Sequence, residues 1–212
     1  MIFNLKTIEE AFKAFQTAFP AVNDQLEMRR ETFTDTIISN LMESYSFLNH
    51  LWKKEIDLFS VSGLHHMLEL NHIVLCGHDP KVRAEFYRHL QQTRDQFYER
   101  IRPIHRWYQN RGKTMETYEI AAEYYGRALS FPQLFIEGNH LAENVKVNYF
   151  LLHHGLPPYI ISADTAVEYL DVSARIKFST KKGGERKRVK HSKKFRLFLE
   201  DQGHRRFLTE VA

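Results

Sequence analysis

The stretch 139–154 constrains the fold more than any other part of this chain. It reads as a helix stopped by Gly155 and Pro157-Pro158. Its apolar residues do not keep to one stripe. Leu141, Val145, Tyr149 and Leu152 align, while Val147, Phe150 and Leu151 fall elsewhere on the circumference. A helix that is apolar on more than one face is buried on more than one side. This one is therefore expected at the centre of the molecule, its N-terminus opening into a cleft. The preceding Glu137-Gly138-Asn139 is a tight corner. First-turn N–H groups have no partner within a helix, and the helix dipole reinforces them, so residues 138–140 form an expected anion cradle. Glu137 beside it is either a ligand of a divalent cation, since phosphate and metal commonly bind together, or a plain helix-start carboxylate.

The rest of the chain is patterned to wrap such a helix. Thr7 and Glu10 have capping-box spacing, and Ile8, Ala11, Phe12 and Phe15 follow at helical intervals up to a stop at Pro20. Between 22 and 58, apolar residues recur at threes and fours, predicting one helix that closes near Thr34 and another that carries Ser39 and Glu43. A short helix over 62–75 is broken by Cys76-Gly77-His78, and Asp79-Pro80 reads as an N-cap followed by proline at the first helical position. The stretch 80–108 predicts one helix bent around Pro103 or two shorter ones. Thr114 then caps a helix through Leu129. After an extended 159–161, small helices are expected over 163–170 and 172–178, a mobile loop over 181–188 and a closing helix over 193–199. No hairpin is visible. The expectation is a mainly α single domain over 1–212, a helical bundle around a buried helix.

Forty-three per cent hydrophobic content in 212 residues suffices for one sizeable core. The single cysteine, Cys76, excludes an internal disulfide and any cysteine-based metal cluster, which fits a reducing cytosol. No stretch approaches the roughly twenty apolar residues of a membrane span, and no export signal is visible at the start, so a cytoplasmic, membrane-free protein is expected. Charge is uneven. The segment 172–212 carries 13 Lys/Arg against 4 Asp/Glu, which makes the remainder acidic.

Around the central corner the sequence resembles the Fic (Fido) family, whose motif is His-x-Phe-x-(Asp/Glu)-Gly-Asn-(Gly/Lys)-Arg-x-x-Arg, followed by a helix and Gly-x-Pro-Pro. Phe135, Glu137, Gly138 and Asn139 match, as does Gly155-Leu156-Pro157-Pro158. The motif histidine falls on Gln133, the small residue on His140, and the two arginines on Leu141 and Asn144. The resemblance implies the family's fold, with its usual flap hairpin reduced or absent. It also implies a site where the acid holds Mg2+, the corner cradles ATP phosphates, and a histidine deprotonates the hydroxyl of a protein target that receives AMP. Here the amide of Gln133 has no basic site for a proton, and Leu141 and Asn144 lack the charge that clamps a triphosphate. Upstream, Ser39-Asn40-Leu41-Met42-Glu43-Ser44 resembles the family's inhibitory motif, with Ser39 and Glu43 in place but Asn144 where the glutamate's arginine partner would stand.

Three functions are open at this level. One is a Fic-like protein that binds a nucleotide or phosphorylated small molecule with little or no AMP transfer. Another is an active adenylyltransferase, or related phosphoryl or nucleotidyl transferase, that recruits His140 as its base. His140 in a first helical turn equally suits a neutral hydrogen-bonding role, because the dipole depresses its basicity. The third is a non-enzymatic interaction module whose basic C-terminal segment binds nucleic acid or an acidic partner.

Overall fold

The computed structural model describes residues 1–111 and 114–210, except for the side chains of residues 181–183. The chain is mainly helical, as its periodicities require. It contains β1 (Ile2–Phe3), α1 (Leu5–Gln25), α2 (Asp35–Lys53), α3 (Leu64–Cys76), α4 (Pro80–Glu85), α5 (Tyr87–Arg111), α6 (Thr117–Leu129), α7 (Asn139–His153), α8 (Ala163–Gln202) and β2 (Leu208–Thr209).

Several boundaries follow local chemistry. Thr34 caps α2 through its side chain, and Asp79 caps α4 with Pro80 at the first helical position. Gly77 stops α3 at φ 62°, a conformation that costs glycine nothing. The stop expected at Pro20 does not occur. A proline removes one intrahelical donor, but Phe19 and Val22 extend the buried stripe begun by Phe12 and Phe15, and α1 runs through to Gln25 under the cap of Asn4. The segment after it, 26–34, is accordingly a connector rather than the helix expected there.

α7 is the central element. Every residue from Ala142 to Leu152 is buried, and α2, α3 and α6 pack around it. Burial reaches even Glu143 and Lys146, both at 0% side-chain exposure, which pair at 2.7 Å while the ammonium sits 4.2 Å from the Phe135 ring centroid. A flap hairpin is missing between α3 and α4. Among the described residues the only sheet joins the chain's two ends, with Ile2 opposite Thr209 and Phe3 opposite Leu208.

The basic C-terminal segment is no tail. Straight, α8 would extend about 60 Å, yet the Tyr169 ring lies 6.1 Å from both Phe195 and Phe198. The helix therefore doubles back, and Gly184 at φ 68° marks the reversal. Both arms pack on α6: Tyr125 meets Tyr169 and Ser173 of the outgoing arm and Phe195 of the returning one. The loop expected over 181–188 is instead helical apart from that glycine, and Arg188 within it is buried against Glu123 at 2.7 Å.

Candidate functional site

The corner before α7 is held from within. Asn139 is 4% exposed, and its side chain both accepts from Phe135 N and donates to Phe135 O, each at 2.8 Å. The side-chain amide thus closes the loop that leads into the helix. Gly138 takes φ 73°, and a Cβ there would lie 3.1 Å from both Asn71 Nδ2 and Leu75 Cδ2 of α3. Asn71 also donates to the carbonyl of Glu137 at 3.0 Å. This flank of the corner is packed, while the Glu137 side chain points into solvent.

Open space lies on the other flank. A cavity of about 440 Å³ is bounded by α1, α2, the 26–34 connector, α7 and the outgoing arm of α8. His140, Leu141 and Asn144 line it, as do Arg30 and Lys177. Gln133, Glu137, Gly138 and Asn139 do not. Gln133 faces α5, its carbonyl bound by Arg100 at 2.6 Å and its Nε2 enclosed without a partner. The predicted site residues therefore separate into a cavity set (His140, Asn144) and a set outside it.

His140 is fixed by a directional hydrogen-bond circuit. Arg30 Nη1 lies 3.4 Å from Nε2, and a guanidinium only donates, so Nε2 is the acceptor and Nδ1 carries the proton. Nδ1–H then donates to Ser173 Oγ at 2.6 Å, Ser173 to Tyr125 OH at 2.6 Å, and Tyr125 to Tyr169 OH at 3.1 Å. Tyr169 OH closes the circuit by donating to the His140 carbonyl at 3.3 Å. Burial, with the positive charges of Arg30 and Lys177, pushes the imidazole down to about 3, and burial pushes Tyr125 up to about 12. At neutral pH His140 is uncharged with its one lone pair committed to Arg30. That geometry opposes the general-base role and agrees with the hydrogen-bonding one.

Sequence reading missed Arg30, which belongs to no motif and stands 110 residues from His140. Its guanidinium donates to His140 and to Leu170 O, and its Nε is enclosed with no partner. Of the nearby acids, Asp24 pairs with Arg29 and Glu27 with Arg175, while Glu31 lines the same cavity. Among the described residues no carboxylate lies within salt-bridge distance of Arg30. A half-enclosed cation without a counter-ion is costly unless something anionic joins it. Asn144, 8% exposed and with Oδ1 unpartnered, stands in the same cavity wall.

The remaining expectations resolve as follows. Glu43 lies apart from this wall and accepts from the backbone N–H of His78 at 2.8 Å, with His78 Nδ1 at 2.7 Å; it ties α2 to the end of α3 rather than guarding a phosphate site. Ser39 is exposed and lines no part of the cavity. Glu137 is a lone carboxylate: among the described residues no group of three or more His, Cys, Asp or Glu side chains could hold a metal. One exposed carboxylate retains Mg2+ only with the help of water and a ligand's own phosphates, and those would have to reach across from the cavity. Likewise among the described residues, no helix is long and apolar enough to cross a membrane. On the returning arm of α8, Arg186, Lys187, Lys190, Lys193 and Lys194 are exposed, while Arg188 and Arg196 are paired with Glu123 and Glu116.

Compared with protein-family models, with curated proteins and with solved structures, the chain matches none.

Proposed function

We propose that this chain is a Fic-like cytoplasmic protein that binds an anionic small molecule, a nucleotide or another phosphorylated or acidic compound, beside its central helix, with little or no AMP transfer. The single observation that carries the reading is Arg30: a guanidinium on the cavity wall, without a carboxylate partner among the described residues, next to the first-turn residue His140. The Phe-x-Glu-Gly-Asn corner that prompted the family resemblance serves here to set α7 in place, so that His140, Leu141 and Asn144 face the cavity. Transfer chemistry has little to work with. Gln133 has no basic site and lies outside the cavity, and His140 holds its lone pair against Arg30.

Titration calorimetry with ATP, AMP and inorganic phosphate, with and without Mg2+, tests the reading, with Arg30→Met as the control. Binding that weakens at least tenfold in the variant is expected. A wild-type protein that takes up none of these anions, nor any of the acids named below, would refute it. Labelled ATP incubated with candidate protein targets should leave no label that depends on His140; such a label would instead establish the transferase alternative.

A further inference from the structure

The walls of the same cavity narrow its ligand's chemistry. α1 and α2 contribute Phe12, Phe15, Phe19, Ile37, Leu41 and Tyr45, and the one polar atom in that set, Tyr45 OH, already accepts from Asn148 Nδ2 at 2.8 Å. That side offers one hydroxyl hydrogen, on Tyr45, and otherwise no hydrogen-bond donors or acceptors for the edge of a nucleobase or for a sugar. Polar groups gather instead where the 26–34 connector, α7 and α8 meet, at Arg29, Arg30, Glu31, His140, Asn144 and Lys177. His140 adds no charge, being neutral with its ring nitrogens engaged. The charged lining is Arg30, Lys177, Arg29, which is already paired with Asp24, and the Glu31 carboxylate, a small net positive charge that suits a single anionic head better than the three or four negative charges of a triphosphate. Size agrees: at about 30 Å³ for a water-sized unit, 440 Å³ accommodates about fifteen non-hydrogen atoms.

Resting on the anion-binding reading above, we propose that the cavity binds an acid-headed apolar molecule, a carboxylate or phosphate monoester on a hydrocarbon body of about ten carbons. The head meets Arg30, with Asn144 and Lys177 beside it, and the body lies against Phe12, Phe15 and Leu41. The head supplies the missing counter-ion, and the body displaces water from apolar walls.

Calorimetry on the full chain with decanoate, decyl phosphate, decanol, ATP and AMP separates the possibilities. Saturable one-to-one binding of decanoate or decyl phosphate is expected, with decanol at least tenfold weaker, and the better of the two acids identifies the head group. Arg30→Met should weaken the acid about tenfold to a hundredfold, the range for losing hydrogen bonds to a charged group, while decanol stays unchanged. A second variant, Leu41→Asn, should weaken the decyl acids while leaving inorganic phosphate unaffected, and a thermal melt reports that each variant is folded. Equal binding of decanol and decanoate would overturn the proposal, because the head would then go unread. Binding of ATP or AMP without either decyl acid would overturn it too and leave the anion site standing. Failure of every anion would remove both.

Discussion

Replacing His140 by glutamine should flatten the acid limb of this protein's stability. In the folded chain the imidazole is pushed from 6.5 down to about 3 by burial and by the charges of Arg30 and Lys177, with no carboxylate among the causes. Between those two values the unfolded chain binds a proton that the folded chain refuses, so stability rises with pH across this window and is lost as pH falls from about 6.5 toward 3. For one such group the loss between about pH 7 and about pH 5 is about 2 kcal/mol, somewhat less in so far as water in the cavity screens the site. The introduced amide has nothing to titrate but can still donate to Ser173 and accept from Arg30. Urea denaturation of both proteins at the two pH values is the assay. His66, His72, His153 and His191 are also lowered by burial, and their common contribution cancels in the comparison. Wild type should lose about 2 kcal/mol more than His140→Gln. Equal losses would refute the claim that a neutral imidazole is held in a positive field.

Other consequences follow from single contacts. Lys146→Met strands the fully enclosed Glu143 carboxyl and should cost about 3–5 kcal/mol, whereas Lys146→Met with Glu143→Leu should return to within about 1 kcal/mol of wild type or exceed it; a double-mutant cycle in urea measures both. Asn139→Ala removes the two bonds that clasp Phe135 and should lower stability by about 2–3 kcal/mol, with faster hydrogen exchange at the Phe135 amide. Gly138→Ala combines φ 73° with a Cβ pressed on Asn71 and Leu75, so a loss of at least about 1–2 kcal/mol in the same assay is expected. Arg30→Met should leave the ligand-free melting temperature unchanged or higher, because it deletes a cation that has no counter-ion.

How far sequence reaches depends on whether a signal is local. The buried helix at 139–153, the Asp79-Pro80 start and the Gly77 stop each follow from residues within one turn, and the structure has all three. Pro20 misleads because propensity is local while the buried stripe through Phe19 and Val22 is tertiary, and packing outweighs one lost hydrogen bond. The stretch 181–188 reads as a loop because like charges and glycines dominate it. Buried partners elsewhere, such as Glu123 for Arg188, offset that repulsion and leave only Gly184 to turn the chain. The cavity was half legible. His140 and Asn144 are singled out by the corner that precedes them, but Arg30, Ser173, Tyr125 and Tyr169 come together from distant segments with no shared spacing. Asn139 is legible as a residue of the corner, but nothing local says that its side-chain amide is spent on Phe135.

The central claim, that Arg30 awaits an anion, is tested most directly by observing its side chain. In a nitrogen-15 NMR titration of the full chain with decanoate, the Arg30 Nε–H resonance, assigned by its loss in Arg30→Met, should shift and saturate while exposed arginines such as Arg186 hold still. A resonance that does not move, or that drifts without saturation along with every other arginine, would contradict the account.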